Sequence, residues 1–391
     1  MAPKLKDPSS TPPEPPPNQR IGTVLVTGGC GFLGFYIVGH LLGNPSCGPV
    51  CIIDRDVTRN AHEHPKAEYI ACSITDAAKV AEILDRVQPE VIFHTASPNA
   101  TYGKSGDFYR TNITGTRTIL RLAKERPFVK VLVYTSSNSV YATPDHKKIR
   151  ESEPTWCGRP APWKCVLEYS WTKGTAHNMV LDANESWREG GLKTCVVVPA
   201  NIYGVRDGQA LSLMFDLFQD ARRPLFRVGR GENVASFVEA GNCADLHVLA
   251  AMALLEGRQG VGGEAFNAAD GEDVLLWWHA GVTCAAIRKQ PRGPGHPRVR
   301  PIPAWVMCVA VYFMWWFLRI FTLGLYEPPP AMSIEGYKWC TEEHTLDIRK
   351  ARRVLGYAPK SGAAWHEHVV RDAVEWEREH RRRAKLRQKK D

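Results

Sequence analysis

The sequence lacks the patterns that mark several large classes of protein. Its eleven cysteines lie scattered in apolar runs without a C-x-x-C pair, so neither a metal site nor a disulfide framework is expected. An apolar content of 44% is ordinary for a globular chain and excludes a polytopic membrane protein. The first residues carry no signal-peptide pattern. We therefore expect free thiols in a reducing, cytosol-facing compartment.

A net excess of positive charge is also small over most of the chain, although the formal net charge is +9. The last fourteen residues, from Arg378, hold eight basic and two acidic side chains, so most of the excess belongs to a basic tail over 377–391. No nucleic-acid partner is expected for that reason. We interpret the tail as a solvated helix end. The alternative is contact with an anionic membrane, which would contribute about 1 kcal/mol per basic residue.

The order of apolar and polar runs predicts the architecture. Residues 1–19 are proline-rich and polar, and we expect them to be disordered. From residue 20, short β-branched runs alternate with helical stretches, a pattern typical of a parallel sheet covered on both faces. We predict an α/β, doubly wound Rossmann fold. The Rossmann domain, with the catalytic residues, is placed at 20–204, and a smaller C-terminal substrate lobe at 205–376.

A glycine-rich loop follows the first predicted strand in "VLVTGGCGFLG". Glycine lets the backbone turn tightly and approach a pyrophosphate, whose charge is met by amide groups at the start of the next helix. The context of strand, loop and helix makes a chance match improbable. The predicted cofactor contacts in this loop are Gly28, Gly29, Cys30, Gly31, Phe32, Leu33 and Gly34.

The second strand, "CIID", ends in a carboxylate at Asp54. A carboxylate at this position accepts hydrogen bonds from the adenosine ribose and repels a 2′-phosphate. The sequence therefore predicts NAD as the cofactor. Arg55 is also expected to contact the cofactor, and its charge keeps NADP as the less favoured alternative.

Tyr169 and Lys173 form a Y-x-x-x-K pair, one helical turn apart and therefore on one face. An ammonium group beside a phenol lowers the phenol pKa, so Tyr169 is expected to act as a general base towards an alcohol. A surface pair is the bland alternative for two residues at this spacing. A third member is offered by Ser136 and Ser137, which end a predicted strand where the nicotinamide should lie.

These motifs resemble the extended short-chain dehydrogenases, and among them the 3β-hydroxysteroid dehydrogenase family, which includes the sterol-4α-carboxylate 3-dehydrogenases. The resemblance covers nearly everything after residue 20, including "TGGCGFLG", "YTSSNSV", "YSWTK", "VVPANIYG" and "DIRKARRVLGYAP". It implies that Ser137 rather than Ser136 is catalytic, with Tyr169, Lys173 and Asn112. The further cofactor contacts that it implies are Ser73, Ile74, Thr95, Ala96, Ser97, Pro199 and Ile202, besides Tyr169 and Lys173.

Two positions depart from the family pattern. Ser73 stands where the third strand usually ends in an acidic residue. In "FVEAGN", Glu239 and Asn242 are spaced one residue wider than the family's acid–asparagine pair. Neither change touches hydride transfer, but both could alter cofactor affinity or the substrate lobe.

The resemblance implies oxidation of the 3β-hydroxyl of a sterol or related polycyclic terpenoid, with decarboxylation where a 4α-carboxylate is present. It also implies the cytosolic face of the endoplasmic reticulum membrane, with a homodimer or other sterol-processing enzymes as further partners. Two alternatives remain. One is a nucleotide-sugar epimerase or dehydratase with the same motifs. The other is a non-catalytic dinucleotide-binding regulator, a class that usually loses the Tyr–Lys pair.

One apolar segment, 304–326, is separate from these motifs and carries a single charge, Arg319. Its uncharged part, Ala304 to Leu318, would be about 22 Å long as a helix, short of the ~30 Å core of a bilayer. Tryptophan and tyrosine suit a membrane interface. We therefore favour a segment that lies in one leaflet or covers an apolar pocket. A buried core helix is the bland alternative.

Overall fold

A parallel sheet of seven strands forms the centre of the protein. The computed structural model describes residues 20–387 except 101–102, 105, 144–145, 162–165, 187, 223, 290–298, 324–325, 327 and 329–331. The predicted disorder of 1–19 and the tail's last residues, 388–391, lie outside the described residues. The strands, in their order across the sheet, are β11 (Glu264–Ala268), β6 (Lys193–Pro199), β5 (Val131–Thr135), β4 (Val91–His94), β1 (Val24–Thr27), β2 (Val50–Asp54) and β3 (Ala67–Ala71).

Helices cover both faces of this sheet. Every residue of β1, β4 and β5 is buried, as continuous apolar strands require when both faces are covered. One group of helices consists of α1 (Phe32–Gly43) and α6 (Ala240–Leu255), which contact each other. The other group consists of α2 (Ala77–Val87), α3 (Thr116–Lys124) and α4 (Glu168–Asp182), with a π-helix over Tyr109–Gly115 before α3.

The sheet takes in residues on both sides of position 204, where the sequence predicted a domain boundary. β11 pairs with β6 in parallel, with Ala268 opposite Pro199, and α6 packs beside it. A second segment from the C-terminal half also contacts the sheet. Lys350 in α10 (Arg349–Leu355) donates a hydrogen bond to the Ala265 carbonyl at 2.8 Å, so the C-terminal segment packs on the edge strand.

The C-terminal half builds a second, smaller core. Tyr203, Phe215, Phe237 and Val370 are buried in it together. Its strands are β7 (Asn201–Tyr203), β8 (Leu225–Val228), β9 (Val234–Ala235), β10 (Phe237–Glu239), β12 (Val274–Leu275) and β13 (Val299–Ile302). The helices of this core are α5 (Ala210–Phe218), α7 (Leu276–Ile287) and α11 (Ala363–Arg387), and the C-terminal half also contains α8 (Ala304–Phe321) and α9 (Ile334–Thr341). The described part of the predicted basic tail continues α11, where Arg381 binds Asp216 of α5 at 2.6 Å.

Helix α8 is exposed almost throughout. It contains 18 residues, about 27 Å of helix, and Val311 is its buried residue. The side chain of Phe313 is 68% exposed and that of Trp305 is 70% exposed. By length and composition alone, α8 is the one helix in the described part of the chain that could cross a membrane. The alternative of a buried core helix is wrong, because the apolar faces of α8 point into solvent.

Candidate active site

The glycine loop between β1 and α1 is packed so closely that two of its positions require glycine. Gly28 has φ +72°, and a Cβ atom there would lie 2.7 Å from the Cα of Ala96. A Cβ on Gly34 would lie 2.2 Å from the Gly28 carbonyl oxygen. Gly31 begins α1 without a capping side chain, which leaves the first amide groups of the helix for an anion. The loop therefore fits a pyrophosphate.

Asp54 lies beside this loop at the end of β2. One carboxylate oxygen accepts a hydrogen bond from the Cys30 amide at 3.2 Å, and the other accepts the Arg55 amide at 2.7 Å. These contacts orient the carboxylate and leave lone pairs for ribose hydroxyls. Burial raises the pKa of the Cys30 thiol to about 12, so this cysteine is neutral and is not a nucleophile at physiological pH.

The other residues predicted to bind the cofactor lie along the carboxyl edge of the sheet. Thr95 follows β4 and donates a hydrogen bond to the Thr27 carbonyl at 2.8 Å, which holds Ala96 next to Gly28. Ile74 is buried after β3 and packs against Gly115, while Ser73 hydrogen-bonds Thr75 at 2.8 Å. The remaining members are Ser97 after β4, Pro199 at the end of β6, and Ile202 in β7.

Ser137 and Tyr169 meet at this edge, the first after β5 and the second in the first turn of α4. Burial raises the pKa of Tyr169, and the nearby Ser137 hydroxyl, which also lies 3.0 Å from the Ser139 hydroxyl, counteracts part of that rise. Ser136 points elsewhere, since its hydroxyl lies 3.0 Å from Nδ1 of the buried His177. The structure thus brings Ser137, and not Ser136, to the tyrosine hydroxyl.

Lys173 is buried one turn further along α4, with 2% of its surface exposed. Its ammonium group donates to the Thr135 carbonyl at 2.5 Å and lies 4.3 Å from the centre of the Tyr134 ring. Burial lowers the pKa of Lys173 to about 7. The predicted lowering of the Tyr169 pKa by the lysine is not seen: burial raises this pKa, and the Lys173 ammonium group is directed at the Thr135 carbonyl.

Asn112 lies in the π-helix and joins two parts of the site. Its amide nitrogen donates to the Thr172 hydroxyl of α4 at 3.1 Å, and its amide oxygen accepts the Ser97 hydroxyl at 2.9 Å. The predicted helix asparagine therefore connects the catalytic helix to the loop after β4. A π-helix is unusual and often occurs at functional sites.

Three buried histidines surround this group and were missed by the sequence analysis. His94 lies between Thr27 and Thr116, at 2.7 and 2.9 Å, and burial lowers its pKa to about 3. His177 and His247 each have a pKa lowered to about 4, for the same reason. Lys173 lowers the pKa of all three further. The four-residue spacing of Lys173 and His177 was a visible signal, because it places both on one helix face.

The unusual "FVEAGN" element has a structural role. Glu239 accepts the Asn242 amide at 3.0 Å and so caps α6. Asn242 donates to the buried carboxylate of Asp270 at 2.7 Å and to the Lys360 carbonyl at 2.8 Å. Burial raises the pKa of Asp270, which also accepts the Tyr203 hydroxyl, to about 6. This group fixes the second core to the sheet.

A cavity of about 170 Å³ opens next to β7. Its walls include Ile202, Phe237, His279 and Trp339 and are mostly apolar, while neither Ser137 nor Tyr169 lines it. Small-molecule pockets usually measure about 300–1,000 Å³. A large polycyclic ligand would therefore extend beyond this cavity.

The parallel sheet, the glycine loop and the Tyr–Lys pair at the carboxyl edge together define a nucleotide-dependent oxidoreductase of the extended short-chain dehydrogenase fold. Residues 25–282 match the 3-beta hydroxysteroid dehydrogenase/isomerase family. The chain belongs to this family and is an enzyme of it, which confirms the predicted family and the predicted class of enzyme.

Relatives with known names are distant but extend over most of the chain. The decarboxylating sterol-4-alpha-carboxylate 3-dehydrogenase of Saccharomyces cerevisiae is 28% identical over 370 residues, which cover 91% of this chain and 98% of that protein. The Homo sapiens 3 beta-hydroxysteroid dehydrogenase type 7 is also 28% identical, over 86% of this chain and 90% of its own length.

Solved structures confirm the doubly wound fold. The Bordetella bronchiseptica enzyme WbmH in complex with NAD⁺ matches with a TM-score of 0.65 at 20% identity, over 91% of this chain and 98% of that one. UDP-glucose 4-epimerase from Thermotoga maritima, with UDP-glucose, matches with the same TM-score at 22% identity, over 92% and 99%. At this level of identity the similarity establishes the fold alone.

Proposed function

We propose that the protein oxidises the 3β-hydroxyl of a sterol or related polycyclic terpenoid with NAD. The observation that carries the proposal is that Ser137, directly after β5, and Tyr169, in the first turn of α4, come together at the carboxyl edge of the sheet, one helical turn from the buried Lys173. The class of substrate is supported by the names of the relatives and by the large apolar surface of α8.

A bound nicotinamide ring supplies the hydride acceptor. Ser137 donates a hydrogen bond to the substrate oxygen and orients it towards Tyr169. Tyr169 takes the hydroxyl proton as the carbon loses its hydride, and Lys173, which the Thr135 carbonyl holds one turn away, would bind the ribose of the nicotinamide. Asn112 keeps α4 in register with the loop after β4, because it binds Thr172 and Ser97. Each role follows from a contact at the carboxyl edge of the sheet.

Decarboxylation follows where the substrate carries a 4α-carboxylate. Oxidation at C3 produces a β-keto acid. The bond from C4 to the carboxylate then breaks, carbon dioxide leaves, and the electron pair moves into the new carbonyl to form an enolate. A proton on C4 completes the ketone. No further oxidant is needed for this step.

NAD is the proposed cofactor, with NADP less favoured. The Asp54 carboxylate is held beside the glycine loop by the Cys30 and Arg55 amides, where a 2′-phosphate would be repelled. The main support for NAD over NADP is therefore the repulsion between the Asp54 carboxylate and a 2′-phosphate.

We further propose that α8 lies in the cytosolic leaflet of the endoplasmic reticulum membrane. β13, directly before α8, pairs with β8, and α10, after it, packs on β11. The segments on both sides of α8 therefore pack on the same folded protein. If α8 crossed the bilayer once, parts of that folded protein would have to lie on opposite sides of the membrane. Arg319 packs over the Trp315 ring at 5.0 Å, an arrangement that suits an interface.

A nucleotide-sugar epimerase or dehydratase is the second candidate, since solved structures of these enzymes share the fold. The exposed apolar face of α8 favours the sterol over a soluble sugar nucleotide.

The test supplies purified protein and NAD with 3β-hydroxysterols, with and without a 4α-carboxylate, and with nucleotide sugars. NADH formation with the sterols supports the proposal, and carbon dioxide release from the carboxylates alone supports the second step. Conversion of nucleotide sugars without NADH from any sterol would reject it.

A further inference from the structure

A carboxylate from the C-terminal half accepts hydrogen bonds at the N-terminal end of the catalytic helix. Glu335 of α9 accepts the Leu167 amide at 2.8 Å with one oxygen and the Ser170 hydroxyl at 3.3 Å with the other. These two contacts lie on either side of Tyr169 in the chain. Glu335 is therefore bound to the turn that carries the tyrosine, although it lies 168 positions from Leu167.

The catalytic helix lacks a cap of its own at this end. Leu167 occupies the cap position, and its apolar side chain makes no capping hydrogen bond. The first amide groups of a helix have no partner within the helix, and a negative charge near them is favourable. Glu335 provides the acceptor for the Leu167 amide, and its charge adds to that of Glu168 in the first turn of α4.

The same short helix, α9, is attached to the exposed helix α8. The two helices pack together, and Tyr337 of α9 lies close to Cys308 of α8. Tyr337 lies two residues after Glu335. One helix of eight residues therefore contacts the apolar surface on one side and the catalytic turn on the other.

We propose that Glu335 is a positioning residue that fixes the first turn of α4, so that the seating of α8 on a lipid surface is transmitted through α9 to Tyr169. The lipid contact rests on the proposed function, whereas the contact between Glu335 and α4 does not. Binding of α8 to lipid would restrict α9 and hold the carboxylate against the Leu167 amide.

The first experiment measures amide hydrogen exchange in the full-length protein and needs no substrate. Glu335→Ala removes both hydrogen bonds, and exchange over residues 166–173 should become about tenfold faster. Glu335→Gln keeps an acceptor for the Leu167 amide and a donor for Ser170, and should restore most of the protection. Glu343→Ala is the matched control, since it removes the same charge from a surface pair with Lys147. Parent-like exchange in Glu335→Ala would overturn the proposal.

The second experiment adds phosphatidylcholine vesicles. Protection over 166–173 should rise in the parent and in Glu343→Ala but not in Glu335→Ala. With an oxidisable sterol, Glu335→Ala should lower kcat about tenfold without changing the KM for NAD, and Glu335→Gln should recover it. An equal rise in protection in all variants, or equal kcat losses in the Ala and Gln variants, would overturn the proposal. If no sterol is oxidised, the proposed function fails while the exchange results still decide the role of Glu335.

Discussion

The carboxyl edge of the main sheet and helix α8 differ in which side chains they expose to solvent. At the sheet edge, polar and titratable side chains such as Lys173, His94 and His247 are buried and hydrogen-bonded within the protein. On α8, aromatic side chains such as Phe313 are exposed. Buried polar groups need hydrogen-bond partners, and the fold provides them at the sheet edge. A large exposed apolar surface is unfavourable in water and is typical of a site that binds a second apolar surface.

The sheet edge is fully packed within the chain, whereas the exposed apolar surface of α8 is proposed to be covered by a lipid surface. Residues proposed for catalysis at the sheet edge are hydrogen-bonded within the chain, as Lys173 is to Thr135 and Asn112 is to Thr172. The surface of α8 has no such complement in the described residues. Changes at the sheet edge should therefore alter turnover and stability, and changes on α8 should alter membrane attachment.

The largest effect is expected at the general base. Tyr169→Phe removes the hydroxyl that takes the proton, so kcat should fall by about 10²–10⁴. NAD affinity should remain close to that of the parent, because the glycine loop is untouched. Stopped-flow NADH formation and equilibrium NAD binding measure the two quantities. Turnover near that of the parent would remove Tyr169 from its assigned role.

Two charges on the exposed face of α8 should detach the protein from lipid. Phe313→Glu with Phe317→Glu removes two aromatic anchors, each worth about 1.5–3 kcal/mol when buried, so vesicle binding should weaken at least about a hundredfold. Flotation with phosphatidylcholine vesicles measures this. Leu386→Glu, at an exposed apolar residue of α11, is the control and should bind normally.

Sidedness provides an independent check on the membrane arrangement. A glycosylation acceptor placed after Lys350 should remain unmodified in cells. Modification there would mean that α8 spans the bilayer, contrary to the account of its two ends.

The two neighbouring serines provide a matched pair at the sheet edge. Ser137→Ala removes the hydroxyl that lies near Tyr169 and is proposed to orient the substrate oxygen, so kcat should fall about tenfold to a hundredfold. Ser136→Ala removes a buried contact with His177 and should lower stability more than turnover. Steady-state kinetics and urea unfolding distinguish the two effects. The reverse ranking in kcat would assign the role to Ser136.

Acid should destabilise the sheet edge through its buried histidines. Their folded pKa values, about 3 to 4, lie below the unfolded value near ~6.5, so the unfolded chain binds more protons as pH falls through this window. The free energy of unfolding should therefore fall by about 2 kcal/mol per histidine between pH 7 and pH 5, because the unfolded chain gains protons that the folded chain does not. His177→Gln should reduce the slope of unfolding free energy against pH.

The smallest effect concerns the choice of cofactor. Asp54→Ala removes the charge that repels a 2′-phosphate, so the preference for NAD over NADP should narrow by about tenfold. The ratio of kcat/KM values for the two cofactors measures it. A parent enzyme that prefers NADP would show that Arg55 outweighs Asp54.

The sequence predicted those parts of the site that depend on neighbours along the chain. The glycine loop and the Tyr169–Lys173 spacing are local patterns, and the sheet follows from the alternation of apolar strands and helices. The pairing of β11 with β6 and the contact of Glu335 with Leu167 join distant segments, and no local pattern signals them. The exposure of α8 was equally undetermined, because an apolar helix has the same composition in a core and on a surface.

The most direct test of the central claim compares two epimers of one sterol. The purified protein, with NAD and lipid vesicles, is given a 3β-hydroxysterol and its 3α-epimer, and NADH is followed for the parent and for Tyr169→Phe. The account predicts NADH from the 3β-epimer with the parent, little from the 3α-epimer, and a loss of about 10²–10⁴ in the variant. Oxidation of neither epimer, or equal rates for the parent and Tyr169→Phe, would contradict it.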